Sequence, residues 1–272
     1  MNKAIVSCEV FYEELNEIIG NKDIDVELLS QGLHNLPQSE DMKMKIQEKI
    51  DLLEAEKNYK YIFLGYGNCS GGVEGLKADR ATLVIPKVHD CIPLLLGELD
   101  SKIDRESRST YYLSRGWIDC GGDSYKEYLF LTNNEGKLKK KFNEYEEKEK
   151  GALTNWYEKK EYRSQKTYPE ESAKYICGEC IKNYDSITVI DNDNLDNIHR
   201  EYAQEMQNFL NDLLEDLYDK SMSLKEVQGN QQILKDLINF ENLSEKQKEK
   251  FVVVSPGEKL RLELNPDFHS IV

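Results

Sequence analysis

Residues 59–72, YKYIFLGYGNCSGG, join a short apolar run to a loop that is rich in glycine. An apolar run of this length, with aromatic and β-branched residues and a glycine stop, is typical of a buried strand. Residues 81–85, ATLVI, form a second such run that ends at Pro86, and a helical pattern is expected to begin near His89. This succession of strand, loop, strand and helix predicts a parallel sheet of the α/β class.

The same alternation extends outward from this segment in both directions. Further strands are predicted at residues 3–9, 24–28, 186–190 and 251–254, helices at 42–53 and 198–217, and a strand or ordered loop at 110–117. We therefore expect a Rossmann-like, doubly wound, mostly parallel sheet that is flanked by helices. The chain is expected to form a single α/β domain over residues 1–272, with a helical, charged excursion at about 122–180.

The charge balance excludes several classes of function. The 272 residues include 36 Lys and Arg against 51 Asp and Glu, which gives a net charge of −15 and a pI near 4.9. An acidic chain of this kind is a poor candidate for nucleic-acid binding. The sequence contains no apolar run of the roughly 18 residues that span a bilayer. Acidic residues in MNKAIVSCEVFYEE come before the apolar core of a signal peptide could form. We expect a cytoplasmic protein that binds neither nucleic acid nor membranes.

Three of the six cysteines follow predicted strands. Cys8 ends the first strand, Cys69 lies in the glycine-rich loop, and Cys91 follows ATLVIPKVHD. Because the carboxyl ends of parallel strands share one edge of a sheet, these thiols are expected to converge there as metal ligands. A helix that begins at His89 would place Cys91 in its first turn, where the helix dipole favours the thiolate. The alternative interpretation is that each cysteine is a small buried residue.

The type of metal follows from the number of thiols. Three thiolates and the imidazole of His89 suit tetrahedral zinc, whereas three thiolates with an open position suit catalytic zinc or an iron–sulfur cluster. The sequence His89-Asp90-Cys91 also resembles the zinc motif of methyltransferases that move methyl groups between corrinoids and thiols. In those enzymes the zinc holds a thiol substrate as a nucleophilic thiolate.

The glycine-rich loop and a second group of cysteines complete the candidate residues. The loop lacks the Lys-[Ser/Thr] of a P-loop and the spacing of a dinucleotide fingerprint. Its residues Gly67 and Gly71 are expected to bring the backbone close to whatever Cys69 binds. Cys177 and Cys180 form a CxxC pair, which suits a redox dithiol, two ligands of a second metal completed by Cys120, or an incidental pair.

Several segments, taken together and in order, resemble the family of conserved proteins of unknown function called DUF1638. These segments are AIVSCEV (4–10), GYGNCSGG (65–72), LVIPKVHDCIPLLLG (83–97), STYYLSRGW (109–117) and FVVVSPG (251–257). The family is found in anaerobic bacteria and methanogenic archaea, often near genes for corrinoid-dependent methyl transfer. The loop departs from the commoner family form, YGLCGNG, because Asn68 precedes and Ser70 follows Cys69.

The resemblance implies a function and a set of site residues. The residues that carry over are Cys8, Cys69, His89, Cys91, Gly116 and Trp117. The resemblance implies a metal-dependent methyl or alkyl transferase of anaerobic one-carbon metabolism that acts on a small-molecule thiol or methyl donor, with a corrinoid protein as a further candidate partner. His89 would be the fourth ligand or an acid/base, and Tyr112 and Trp117 would line the cleft. The alternative is a non-catalytic accessory that docks on a corrinoid protein or its methyltransferase.

Overall fold

The computed structural model describes residues 2–35, 39–98, 109–136, 138, 140–141 and 167–261. These residues form two compact units. One contains the described residues up to 98 together with 229–261, and the other contains those between 109 and 228. Each unit has a sheet with parallel strands and flanking helices, which confirms the predicted α/β class. The single α/β domain over residues 1–272 stays a prediction.

The strands and helices are numbered in chain order. The strands are β1 (Lys3–Cys8), β2 (Asp25–Leu29), β3 (Tyr61–Gly65), β4 (Thr82–Pro86), β5 (Thr110–Ser114), β6 (Ser186–Asp191), β7 (Ser223–Gln228) and β8 (Phe251–Val254). The helices are α1 (Tyr12–Ile19), α2 (Ser39–Glu56), α3 (Cys91–Leu96), α4 (Arg115–Cys120), α5 (Ser124–Leu131), α6 (Glu170–Ile181), α7 (Asn197–Tyr218), α8 (Gln232–Ile238) and α9 (Glu245–Lys248). Of the predicted excursion at 122–180, the structure describes α5, α6 and short adjoining stretches, and residues 142–166 lie outside the described residues.

The first unit contains a five-stranded sheet in the order β2-β1-β3-β4-β8. The first four strands are parallel and β8 is antiparallel to β4. The chain moves from β1 outward to β2 and then returns past β1 to β3, so the winding direction reverses between β1 and β3. In doubly wound sheets this reversal opens a crevice at the carboxyl ends of the two strands, and ligands bind there.

Apolar runs place these strands in the core of the first unit. Side chains such as Ile5, Phe63 and Val84 are fully buried, and α2 contacts β1 while α1 packs against α8. At about 25 cal/mol for each Å² of apolar surface buried, burial of such side chains is the main term that stabilises the sheet. The strands predicted at 3–9, 24–28, 59–64, 81–85 and 251–254 are confirmed within two residues at each end.

The second unit contains a three-stranded, fully parallel sheet in the order β5-β6-β7. The predicted amphipathic helix is confirmed as α7, which buries Tyr202, Met206 and Leu210 in the core of this unit. The segment predicted as a strand or ordered loop divides into β5 and α4, because Ser114 accepts a hydrogen bond from the Trp117 amide and caps the helix. The sequence analysis missed β7, whose residues SLKEVQ form an edge strand with mostly exposed side chains.

A helix that spans a bilayer needs about 20 predominantly apolar residues. None of those in the described ranges combines the length and apolar character that a membrane span requires.

Candidate active site at a sheet edge

Three adjacent strands of the first unit deliver the predicted ligands to one edge of the sheet. Cys8 is the last residue of β1, Cys69 lies four residues beyond β3, and Cys91 lies five residues beyond β4. Since β1 pairs with β3 and β3 pairs with β4, the three cysteines follow three neighbouring strand ends. The winding of the sheet reverses at this edge, between β1 and β3. The expected placement of the three cysteines at one edge is therefore observed at the level of the backbone.

Backbone hydrogen bonds fasten the loop after β3 to the turn after β4. The amide of Asn68 donates to the Val88 carbonyl at 3.0 Å, and the amide of Cys69 donates to the His89 carbonyl at 2.9 Å. A Cβ atom on Gly67 would lie 2.6 Å from the backbone nitrogen of Asp90, so only glycine permits this approach. The two segments that carry Cys69 and Cys91 are thus held against each other.

The backbone of Cys69 itself is strained. Cys69 and Ser70 have φ values of 48° and 58°, in the left-handed region that residues with a Cβ rarely occupy. Each such residue costs of order 1 kcal/mol or more, and strain of this kind concentrates at functional sites. Gly71, the other predicted loop glycine, has a φ of 85°, and a Cβ there would meet nothing within 4 Å. Gly71 therefore allows the positive φ that the turn requires, and its role in cofactor binding stays a prediction.

Burial keeps the Cys69 thiol protonated. Loss of solvent raises the pKa of Cys69 far above its ordinary value, and negative charge at Cys91 and Asp90 raises it further. A hydrogen bond from the Gly67 backbone amide to the sulfur acts in the opposite direction and favours the thiolate. The thiol is therefore neutral near neutral pH. A cation at this edge would supply the positive charge that would stabilise a thiolate here.

Helix α3, which follows the turn after β4, begins two residues later than predicted. The helix starts at Cys91, and the Asp90 carboxylate caps it by accepting a hydrogen bond from the Ile92 amide at 2.8 Å. Cys91 therefore lies in the first turn, as predicted, while His89 precedes the helix. His89 is half-buried, and its role as a ligand or acid/base stays a prediction.

Two polar side chains of the loop were missed by the sequence analysis. Tyr66 is 2% exposed and Asn68 is 8% exposed, yet within the described part of the chain neither Tyr66 Oη nor Asn68 Oδ1 has a hydrogen-bond partner. Burial, and then the groups of Cys8, Cys69 and Glu9, raise the pKa of Tyr66 well above its ordinary value. The phenol is therefore neutral and lies within electrostatic reach of two of the predicted ligand thiols. Its position directly after an apolar run was the available sequence signal.

The side chains do not form a ready-made metal centre. Among the residues that the structure describes, no group of three or more His, Cys, Asp or Glu side chains is arranged to hold a metal ion. All six cysteines are thiols rather than disulfides. The edge therefore brings the predicted ligands to neighbouring strand ends without placing their sulfur atoms around a common point.

The remaining predicted residues lie in the second unit. Tyr112 lies in β5 and Trp117 in α4, and both are half-buried. Gly116 is buried in α4 beside Trp117. The participation of these residues in ligand binding stays a prediction.

The second group of cysteines lies in two helices of the second unit. Cys120 ends α4 and is buried, while Cys177 and Cys180 lie one turn apart near the end of α6. Burial, followed by Cys180, raises the pKa of the Cys177 thiol to about 12. A helix carboxyl end disfavours a thiolate, whereas reactive CxxC pairs have a lowered pKa. Cys177 is thus a weak nucleophile near neutral pH.

A buried polar cluster in the second unit was also missed. Lys126 is fully buried, and its Nζ donates to the carbonyls of Ile118 at 2.6 Å and Gly121 at 2.8 Å. His199 accepts a hydrogen bond from the Asp196 amide on Nδ1, so its Nε2 carries the proton and donates to Asp119 at 3.0 Å. Because these groups satisfy one another, the cluster fixes the ends of α4 and α7. No local pattern in the sequence marks it.

Comparison with known proteins identifies the family. The sequence matches the family described as "Protein of unknown function (DUF1638)" over residues 28–238, which is most of the chain. The chain belongs to the DUF1638 family. No curated protein and no solved structure matches this DUF1638 member. Among the predicted ligands, Cys69 and Cys91 fall inside the matched residues and Cys8 precedes them.

Proposed function

We propose that this DUF1638 protein binds a thiophilic metal ion, zinc in first place, through Cys8, Cys69 and Cys91. The observation that carries the proposal is the delivery of all three residues by adjacent strands β1, β3 and β4 to one sheet edge. Neighbouring strands lie about 4.8 Å apart, so β1 and β4, on either side of β3, are about 10 Å apart, and Cys69 and Cys91 would reach a shared ion from the loop and turn that follow their strands. His89 would supply the fourth ligand or act as an acid/base beside it.

The thiol groups of the three cysteines are suitable ligands for a soft cation. Thiolates prefer zinc or iron over hard cations. The Cys69 thiol is buried beside other negative groups, and it already accepts one amide hydrogen bond that favours the charged form. Binding would release the thiol protons and require the side chains to turn towards a common point, since the described side chains are not arranged as a metal group.

The chemistry of the bound metal is the second part of the proposal. A zinc ion with a free position would activate a small-molecule thiol, or accept a methyl donor, for alkyl transfer. Three thiolates would also suit an iron–sulfur cluster with one open iron. The link to anaerobic, corrinoid-dependent one-carbon metabolism in the cytoplasm rests on the family resemblance alone, and the same holds for a corrinoid protein as partner.

Metal content tests the proposal directly. Protein purified without oxygen is analysed by mass spectrometry for metals, beside the variants Cys8→Ser, Cys69→Ser and Cys91→Ser. We expect about one metal ion per chain in the unaltered protein and its loss in each variant. Cys180→Ser is the matched control, since this thiol is exposed and lies in the other unit. Brown protein would identify an iron–sulfur cluster, and colourless protein would favour zinc. Metal-free protein, or metal that all three variants retain, would contradict the proposal.

A second candidate function is a non-catalytic accessory that docks on a corrinoid protein or its methyltransferase. The raised pKa of Cys69 favours it, because a buried and protonated thiol is also what a purely structural cysteine would be. Under this hypothesis the protein is purified without metal. Added zinc would then leave its thermal stability unchanged, whereas metal ligands that bind only in the folded state would raise the stability.

A further inference from the structure

We propose that the sheet edge at the carboxyl ends of β1 and β3 binds a small uncharged ligand through the hydroxyl of Tyr66 and the side-chain oxygen of Asn68. The ligand carries a group that both accepts and donates a hydrogen bond, as a primary carboxamide or a hydroxyl does. The inference rests on the same sheet edge as the metal proposal, but it does not require a metal.

The first argument is the unmet hydrogen-bonding capacity of two buried atoms. Buried polar side chains almost always have a partner, and each exception calls for an explanation such as a bound ligand. Here, within the described ranges, two such atoms lie two residues apart in one loop: Tyr66 Oη and Asn68 Oδ1. The phenol can donate and the amide oxygen can only accept. One group with an acceptor and a donor would satisfy both.

The second argument is the position of these atoms. Tyr66 directly follows β3, next to the end of β1, at the place where the winding of the sheet reverses. Its phenol acts electrostatically on Cys8 and Cys69, so it lies among the thiols of the edge. Doubly wound sheets bind their ligands at this point. The loop is also held in a fixed, strained conformation by its hydrogen bonds to the turn after β4, which orients both side chains before a ligand arrives.

The third argument concerns the charge of the ligand. The acidic group that acts on Tyr66 is Glu9, and the acidic group that acts on Cys69 is Asp90. A carboxylate or phosphate at this edge would be repelled by both acidic groups. An uncharged ligand avoids this repulsion while it still satisfies the two orphaned atoms.

Two alkylating reagents of nearly equal size provide the test. Iodoacetamide carries a neutral carboxamide and iodoacetate carries a carboxylate, and both react with thiolates. The full-length protein, stripped of metal with a chelator, is labelled with each reagent at pH 8. Peptide mass spectrometry then gives the rate at which each reagent alkylates each cysteine. Cys91 is the reporter because this residue is partly exposed and lies beside the loop. Cys180 is exposed and lies outside the site, so the ratio of its two alkylation rates gives the intrinsic reactivity of iodoacetamide relative to iodoacetate in the same sample.

The expected result is a preference for iodoacetamide at Cys91 that exceeds the preference at Cys180 by about tenfold, because iodoacetate has no N–H to donate to Asn68 and its charge is repelled by Glu9 and Asp90. In Tyr66→Phe the rate of iodoacetamide labelling at Cys91, relative to the rate at Cys180, falls about tenfold, since the hydrogen bond from the phenol to the carboxamide is lost. Tyr59→Phe, a buried tyrosine of the same unit, leaves this relative rate unchanged. Excess acetamide slows the labelling of Cys91, and excess acetate does not.

Three results would overturn the inference. Equal ratios at Cys91 and Cys180 would mean that the edge does not select the carboxamide. A relative rate of iodoacetamide labelling at Cys91 that is unchanged in Tyr66→Phe would mean that the Tyr66 hydroxyl does not bind the carboxamide. Failure of acetamide to protect Cys91 would mean that water alone satisfies Tyr66 and Asn68. Because the labelling uses metal-free protein, these outcomes are independent of the metal content that tests the proposed function.

Discussion

Removal of a single hydroxyl group is expected to stabilise this protein at Tyr66 and to destabilise it at Tyr59. Both tyrosines belong to the first unit and are buried, with 2% and 5% of their surface exposed. Tyr59 Oη donates to the Asp25 carboxylate at 2.6 Å, whereas within the described part of the chain Tyr66 Oη has no partner. The change to phenylalanine is the same in both cases, so the hydrogen bond is the main difference between them.

The magnitudes follow from the cost of an unmade hydrogen bond. A buried polar group without a partner costs about 1–3 kcal/mol, so Tyr66→Phe is expected to raise the free energy of unfolding by about 1 kcal/mol. A hydrogen bond to a charged group contributes about 1.5–3 kcal/mol. The Asp25 side chain is 38% exposed. We therefore expect a smaller loss for Tyr59→Phe, about 1 kcal/mol, since solvent can replace part of the bond.

Urea unfolding of the metal-free protein, followed by circular dichroism, measures both changes. The slope of unfolding free energy against urea concentration must stay constant, because a change in slope would indicate an altered denatured state or lost cooperativity. A Tyr66→Phe variant that loses as much stability as Tyr59→Phe would refute the reasoning. It would mean that the Tyr66 hydroxyl has a protein or water partner. The proposed ligand site would then lose its first argument.

Three further substitutions test how single buried or hydrogen-bonded side chains stabilise the unit that contains them. Lys126→Met removes the cation that binds two carbonyls in the second unit, and we expect a loss of about 3 kcal/mol in urea unfolding, with exposed Lys182→Met as a nearly silent control. Glu54 accepts backbone hydrogen bonds from Asp79, Arg80 and Ala81 before β4, so Glu54→Gln is expected to cost about 2 kcal/mol; a loss below about 0.5 kcal/mol would contradict this role. The pKa of Cys177 is raised to about 12, so its contribution to stability is complete below the unfolded value near 8.5 and is lost as the pH rises towards 12. Between pH 8 and pH 10, Cys177→Ala should therefore lose about 2 kcal/mol less stability than the unaltered protein, and equal losses would show that this thiol stays solvated.

Most strands could be predicted because burial of both faces requires a nearly continuous apolar run. The runs KAIVSC in β1, YIFLG in β3 and SITVI in β6 each contain five or six residues with little charge. The strand β7 has the sequence SLKEVQ, whose charged side chains are tolerated because the strand lies at a sheet edge. Its hydrogen bonds come from β6, more than thirty residues earlier, and that pairing leaves no local signal.

The candidate site was partly predictable because apolar runs mark the strands and therefore the strand ends. Cys8, Cys69 and Cys91 could be assigned to strand ends because each follows an apolar run. The roles of Tyr66 and Asn68 could not be predicted, because a tyrosine or asparagine becomes unusual only when burial removes its solvent and no partner replaces it. The satisfied pair of His199 and Asp119, eighty residues apart, was hidden for a related reason.

The sequence by itself determined the α/β class, most of the strand boundaries and the position of Cys8, Cys69 and Cys91 relative to their strands. These properties depend on side-chain periodicity and on local turn residues, which neighbouring positions carry together. Only the tertiary structure decided that the strands divide between two sheets, that β1 lies between β2 and β3, and that the loop of Cys69 binds the turn of Cys91. Strand order and loop contacts depend on non-local hydrogen bonds and on the packing of distant segments, and many orders are compatible with the same periodicity.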